Sequence, residues 1–566
     1  MIFSTDTEHV KVLGRTYYRD NIRWCAFSAS GVEFAAKTDS LSVEIFGDDR
    51  AGDPENAPRI GIFVNGERVV DRMIENRREK LVIYEGSERA MIVRIIKLTE
   101  SAMSTFGIGE IDAGNGDIIP TFKKNFMIEF VGDSITCGYG VDDEDENHTF
   151  HTYSEDCTKA FAYRTAEALG VDYSLVSFSG YGVISGYTGD GVINSKELLP
   201  PHYEKVGFSY ATSGTPGDTF KVEDIRWNFE RQPDMVFVNL GTNDASYCGE
   251  DPDKQKLYIE RYVELLKKIR KNNPKAYLMC GLGIMGDVLY KSMCEAAAAY
   301  TAQTGDTNID TVYFEAIRPD SEGYVADYHP RAVTHARCSA VLVDKLKEVA
   351  AKKLGRVLGQ RVLALSFDDG PNTVTTPQVL EKLKKYGVVA TFFLVGDNIN
   401  EASSAVVREC IAAGNDIENH SIHHYVMSDM KIEDVLKELE EDSDRIEAIT
   451  GRRPEFFRPP YIAVSDAMRA HVPYTMIAGY GAEDWEDSVS ATERAKRILA
   501  AFKNGIIILL HDEKGNYRTV EALDTIIPVA KALGYEFVTI PELFKRMDVT
   551  PVGGVVYNEA EQAVLY

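Results

Sequence analysis

The sequence predicts a multidomain chain: an N-terminal β-sandwich, an α/β unit built on a parallel sheet, and a C-terminal distorted (β/α) barrel. Three observations predict it. At 566 residues the chain is too long for one core. Residues 1 to about 120 carry short β-rich runs and no long helical pattern. From about residue 124 strands alternate with helical faces, and after Arg361 the alternation begins again in a more compact form.

In the first module, 1–120, Leu41 to Phe46 alternate and Met91 to Leu98 form another β-rich run. Ile62-Phe63-Val64 and Glu67-Arg68-Val69-Val70 flank Asn65-Gly66, a strong hairpin signal. Such a module can bind glycans or serve as a structural wedge on the next domain. In the second, 121–355, strands are expected at 126–133, 172–179, 234–240, 275–281 and 309–315. Helices are expected at 158–169, 253–272, 289–303 and 335–354, the last closed by Gly355. The connection 355–360 is short, without a proline or serine run, and reads as a tight junction. In the third, 356–550, strands fall near 361–367, 389–395, 415–419, 455–458, 474–479, 505–510 and 535–540, which suits a compact barrel. The tail 551–566 is apolar enough to dock.

Composition narrows the function. The net charge of −26 argues against nucleic acid, anionic membranes and polyanionic substrates, and leaves neutral substrates open. No apolar run reaches membrane-spanning length, and the start shows no signal peptide, so the expectation is a cytoplasmic protein. The eight scattered cysteines read as thiols. The acidic run Asp142 to Glu146 lacks calcium-loop spacing and reads as a solvated loop. Oligomeric state is not legible.

Chemistry first gathers at Phe130-Val131-Gly132-Asp133-Ser134, where an apolar strand stops at a serine and a glycine-rich turn. That stop exposes a hydroxyl at the carboxyl end of a parallel strand, where open α/β sheets hold ligands. Gly180-Tyr181-Gly182 follows the next strand and can turn backbone N–H groups to the same pocket. Asn243 follows the third and can offer a side-chain N–H; His329, just before the final helix, is the expected general base. The set resembles the SGNH (GDSL-type) hydrolases, and with the preceding β module it is similar to carbohydrate esterase family 2, over about residues 5 to 350. The resemblance implies Ser134 as nucleophile, His329 as base, and Gly180 and Asn243 with the Ser134 amide as oxyanion hole, with no cofactor. The position three before the histidine, usually the triad aspartate, is Ala326. Asp327 is then either a carboxylate partner of His329 or a bystander to a backbone-oriented dyad. Tyr328 takes the place of an aromatic that lines the sugar site.

The second constellation is denser. Asp368-Asp369 ends one strand, and His420 and His424, four apart, follow another on one face of an expected helical turn. Asp369, His420 and His424 make a three-ligand metal site with an open position, His423 pointing elsewhere. Asp368 can then take a proton, Arg458 can hold it ionised, and the Tyr461 N–H can meet an oxyanion. Trp485 and Leu509 supply walls, and His511, oriented by Asp484, an acid. Residues 361 to about 547 resemble the NodB-type polysaccharide deacetylases, carbohydrate esterase family 4. Ser366 stands where threonine is usual and Ile462 where glycine is usual; Gly481-Ala482-Glu483-Asp484-Trp485 lacks the motif's first aspartate.

Together these resemblances imply a bifunctional carbohydrate acetyl-esterase. It would remove O-acetyl groups from neutral acetylated hemicellulose oligosaccharides, xylan first, through a Ser–His site and a separate site for one divalent transition metal, zinc first, then cobalt or nickel. The alternative pairs the O-acetylesterase with an N-deacetylase of chitin- or peptidoglycan-derived sugars. A glycan-binding protein with vestigial sites is the competing class.

Overall fold

The computed structural model describes residues 1–560 and the backbone of 562–564; positions 561, 565 and 566 of the tail lie outside the described residues. The chain divides into two compact units, Met1–Gln360 and Arg361–Tyr566. Among the described residues no helix is long and apolar enough to cross a membrane.

The first 120 residues of unit one form one ten-stranded antiparallel sheet. Its two longest strands, Gly31–Gly47 and Arg78–Lys97, pair from Gly31 opposite Ile96 to Phe46 opposite Arg78, with irregularities after Thr38 and Leu41. Such irregularities bend a strand. The first half of Gly31–Gly47 therefore pairs with Lys11–Leu13 and Asp117–Pro120, and the second half with Phe106–Asp112. The sheet curls as a half-barrel around one core that includes Phe34, Val43, Ile62, Val93 and Phe106. Asn65-Gly66 makes the expected two-residue hairpin, Val64 opposite Glu67, with φ of +52° and +84° at the turn.

This module is locked to the α/β part of the same unit by buried ion pairs, Lys11 with Asp172 at 2.6 Å and Arg15 with Glu129 at 3.0 Å. Removing one partner of such a pair strands a buried charge, at a cost of about 3–5 kcal/mol. The α/β part carries five parallel strands in the order Asp172–Ser177, Met127–Gly132, Met235–Asn239, Tyr277–Leu282, Ile309–Tyr313. Ile128 and Phe130 face one apolar layer while Val131 faces the other, so both faces are covered by helices and the strands read as continuous apolar runs. The chain order reverses between the first and third strands, which puts the topological switch point beside Ser134.

Unit two closes a seven-strand ring: Val362–Gly370, Thr391–Leu394, Asp416–Asn419, Phe456–Phe457, Thr475–Ile477, Val556–Glu559 and Ile506–His511. The sixth of these comes from the tail. Val556–Glu559 fills the gap between Thr475–Ile477 and Ile506–His511, parallel to the former and antiparallel to the latter, and buries Val556 and Tyr557. Glu536–Val538, expected as a barrel strand, pairs parallel with the amino-terminal part of Val362–Gly370, whose later residues pair with Thr391–Leu394, and so joins the sheet without being one of the seven ring strands.

Candidate active sites

In unit one the strand Met127–Gly132 ends one residue before Asp133, whose carboxylate accepts the Ile135 N–H at 3.1 Å and starts the short helix Ser134–Cys137. Ser134 is buried at the base of this turn. His329 Nε2 lies 2.9 Å from Ser134 Oγ. The Nδ1–H of His329 donates to the backbone carbonyls of Ala326 (3.2 Å) and Asp327 (3.1 Å). Carbonyls only accept, so the proton sits on Nδ1 and Nε2 is left to accept the serine proton. Burial pushes this imidazole down to about 4 despite those bonds, so it is neutral in ordinary buffers.

The Asp327 carboxylate is not the orienter of His329. Asp327 and Tyr328 both have left-handed backbone, φ +51° and +59°, which turns the carbonyls onto the ring and sends the Asp327 side chain elsewhere. It accepts the Tyr139 hydroxyl at 2.5 Å. The Tyr139 ring stacks on His329 at 4.0 Å and on Phe150 at 4.4 Å, so Tyr139 fixes the plane of the base. Asp327→Asn is therefore expected to lower kcat of this site by less than about tenfold, against the roughly 10⁴-fold of a true triad aspartate; steady-state kinetics on an aryl acetate checks it.

Gly132 is level with Ser177 on one side and Asn239 on the other, so Ser134, Gly180 and Asn243 emerge from three adjacent strands. Asn243 Nδ2 donates one N–H to the Tyr181 carbonyl at 2.9 Å, leaving a second. Asp244, unremarked in the sequence, accepts the N–H groups of Val183, Ile184 and Ser185 and ties down the glycine loop. Tyr328 is half exposed, and its ring makes a T-shaped pair with Tyr324.

In unit two every predicted group lies at the carboxyl end of a ring strand or just behind it. Asp369 Oδ1 is 3.5 Å from His420 Nε2 and 3.3 Å from His424 Nε2. The segment 420–424 is a bend rather than the expected helical turn, with Ser421 and His424 left-handed at φ +67° and +58°. The His420 Nδ1–H donates to the Arg458 carbonyl at 2.6 Å, which bares Nε2 as a lone pair. Burial would raise Asp369, but the hydrogen bond and charge of His420 hold it down, to about 2. Two imidazole nitrogens and one carboxylate oxygen within 4.8 Å of one another fit a divalent transition metal.

Asp368 accepts from Arg458 Nη1 at 2.6 Å. Arg458 is fully buried over the Phe393 ring, and its Nη2 donates to Ser366 Oγ at 2.9 Å, so the serine at the threonine position anchors the arginine. Asp484, also fully buried, accepts from His511 Nδ1 at 2.8 Å, the His511 N–H at 2.8 Å and Thr519 Oγ1 at 2.7 Å. Burial alone would lower His511, yet the hydrogen bond and charge of Asp484 raise it to about 9. Trp485 stands edge-on to His511 at 5.4 Å, and the Tyr461 ring edge-on to His424 at 4.8 Å. Ile462 holds φ +54°, a conformation that favours glycine and strains a β-branched residue. A cavity of about 1120 Å³ is lined by Asp368, Asp369, His420, His424, Tyr461, Trp485, Leu509 and His511.

Residues 130–337 match the GDSL-like Lipase/Acylhydrolase family, and residues 355–476 match the polysaccharide deacetylases. A peptidoglycan-N-acetylglucosamine deacetylase of Bacillus cereus is 32% identical over 196 residues, 33% of this chain and 89% of that protein. The chain belongs to the polysaccharide deacetylases, and it carries a GDSL/SGNH-type domain ahead of the NodB-type one. A bifunctional xylanase/deacetylase of Pseudobutyrivibrio xylanivorans is 42% identical over 192 residues, 34% of this chain and 32% of that protein. A family two carbohydrate esterase from Clostridium thermocellum, solved with cellohexaose, covers 61% of this chain and 99% of its own at 25% identity and a TM-score of 0.52. The chain spans about a third of the length of the first curated relatives it matches. The two matched regions are thus those of an acylhydrolase family and of a deacetylase family.

Both units also hold residues packed or bonded against the candidate site groups that motif reading missed. In the esterase it is Tyr139, in the deacetylase Asp442, whose buried carboxylate receives the His420 N–H at 3.3 Å. Tyr139 lies in the Gly138-Tyr139-Gly140 run that follows the nucleophile, a signal available in the sequence. Asp442 sits mid-helix among other acidic residues, with no signal to single it out.

Proposed function

We propose that the chain removes O-acetyl groups from acetylated hemicellulose oligosaccharides, xylan-derived first, at two chemically independent sites. The single observation that carries the reading is the Ser134–His329 contact at the switch point, an ester-cleaving dyad on the same chain as the deacetylase. Ser134 attacks the acetyl carbonyl while His329 Nε2 takes its proton and returns it to the departing sugar oxygen; water, giving a proton to the same nitrogen, then attacks the acetyl-serine, and acetate leaves as Ser134 takes that proton back. The Ser134 and Gly180 amides and Asn243 receive the oxyanion.

In the deacetylase Asp369, His420 and His424 would hold the metal, zinc first, with cobalt or nickel compatible with the same donors. A metal held there supplies Lewis acidity, acidifying water and polarising an acetyl carbonyl. Asp368, paired with Arg458, takes a proton from the attacking water, and His511, kept protonated by Asp484, gives one to the leaving group. The bifunctional xylanase/deacetylase relative supports xylan for this unit. The second reading, N-deacetylation, is favoured by the strongly protonated His511 and by the peptidoglycan deacetylase relatives, because an amide nitrogen must be protonated before it leaves.

In a Ser134→Ala background, acetylated xylo-oligosaccharides are expected to lose acetate while N-acetyl-chito-oligosaccharides do not, followed by mass spectrometry. Chelation should stop that remaining activity, with recovery on adding a divalent transition metal. Acetate release from the chito-oligosaccharides alone moves the assignment to N-deacetylation.

A further inference from the structure

The turn that follows strand Arg78–Lys97 does not stay with the half-barrel. Leu98, Thr99, Glu100, Ser101 and Ala102 are all buried. They are tied into the α/β part of the esterase: Leu98 O accepts the Cys157 N–H at 3.0 Å, and Ala102 O the Tyr210 N–H at 2.8 Å. At the centre of the turn is Glu100, with no exposed surface. Its own N–H donates to Glu155 Oε2 at 2.8 Å, and its Oε2 accepts the Ser179 N–H at 2.7 Å.

Ser179 immediately precedes Gly180, the residue whose amide serves the oxyanion in the reading above. The peptide N-terminal to Ser179 is pinned by Glu100, and the peptide C-terminal to Gly180 is pinned by the Tyr187 N–H on the Gly180 carbonyl at 2.8 Å. The Ser179–Gly180 peptide lies between these two anchors, at a left-handed φ of +80° that would otherwise leave it free to turn. A buried carboxylate with one oxygen on a backbone N–H and the other, Oε1, without a partner among the described residues is poor stability engineering. It is a good way to fix an amide.

We infer that Glu100, supplied by the β half-barrel, is a positioning residue for the serine site: it aims the Ser179–Gly180 peptide so that the Gly180 N–H meets the oxyanion. The half-barrel then completes the active site from behind, beyond any wedge or glycan-binding role. The inference rests on the assignment of Ser134 as nucleophile and Gly180 as oxyanion donor.

The test uses the full chain with chelator present, so that only the serine site turns over an aryl acetate. Functional sites are counted by endpoint labelling of Ser134 with a fluorophosphonate. Removing one oxyanion donor outright costs roughly 10²–10³ in kcat, so misaiming one should cost roughly 10–100-fold. Glu100→Ala is expected to lose that much kcat per labelled site with KM within about threefold, while Glu100→Gln, which keeps an acceptor oxygen in place, stays within about threefold of wild type in both. Full kcat per labelled site in Glu100→Ala, a loss carried by KM, or a loss that glutamine does not restore overturns the inference. If Glu100→Ala cannot be labelled, Glu100→Asp, which keeps the charge but withdraws the oxygen, takes its place under the same criteria. If it too cannot be labelled, Glu100 is only structural and the inference falls. Unchanged hydrolysis in Ser134→Ala would instead overturn the nucleophile assignment.

Discussion

Ser134→Ala should lower chelator-resistant acetate release by at least about a thousandfold and leave the metal-dependent release near the wild-type rate. The size follows from the geometry. His329 is aimed at Ser134 Oγ, 2.9 Å away, and among the hydroxyls of the described residues no other is bonded to this ring. What survives is the oxyanion hole and binding, which still accelerate water attack by roughly 10³–10⁴ over the uncatalysed rate but fall far short of the intact site. The separability follows from chemistry, because no proton donor or acceptor of one unit serves the other in the proposed scheme. Acetate release measured with and without chelator, in wild type and variant, reads both activities. Loss of both in Ser134→Ala would mean that one site does all the work. The same site carries a pH signature. Its base must be neutral, and burial holds His329 down to about 4, so kcat/KM should stay level through the weakly acidic range and fall only as pH drops through about 4.

Much of this was legible because both catalytic sets sit where strands end. A strand that stops at Gly132-Asp133-Ser134 or at Asp368-Asp369-Gly370 announces its chemistry through composition alone. The parallel strands of the esterase were legible for a related reason: with both faces covered, they read as unbroken apolar runs. Asp327 shows where such reading stops. Its distance in sequence from His329 suits a carboxylate partner, but a left-handed φ decides whether the side chain or the carbonyl faces the ring. His420 and His424 converge as their spacing suggests, though through a bend with two left-handed residues rather than a helical turn. Spacing limits reach; it does not choose the path. The tail strand Val556–Glu559 was invisible as a barrel element, because which strand fills the gap depends on pairing partners far away in sequence. Glu100 was invisible for the same reason, since 79 positions separate it from Ser179.

In the deacetylase the largest expected loss comes from Asp368→Asn. Asparagine keeps the shape and can still accept from Arg458, but it cannot take a proton, so metal-dependent acetate release should fall by roughly 10²–10⁴-fold. The buried guanidinium also loses its counter-charge, so the variant should melt earlier, by the several kcal/mol that breaking a buried pair costs, about 3–5. His511→Ala divides the loss differently. An alkoxide leaves a tetrahedral intermediate more readily than an amine, and an aryl oxide needs no proton at all. The variant should therefore be weak on acetylated xylo-oligosaccharides and retain a measurable rate on an aryl acetate. The wild-type pH profile carries the same signature from the alkaline side. His511 is raised to about 9, so its acid form persists through neutrality and the rate on sugar acetates should fall as pH rises through about 9. The sign for stability is the same: the His511–Asp484 pair contributes fully below the ordinary histidine range, near 6.5, and that contribution is lost as pH rises towards 9. If the alkaline limb is present on xylo-oligosaccharide acetates but absent on the aryl acetate, the proton goes to the leaving group. If both substrates share it, His511 acts before the bond breaks, as a charge beside the oxyanion, and its role as acid is withdrawn.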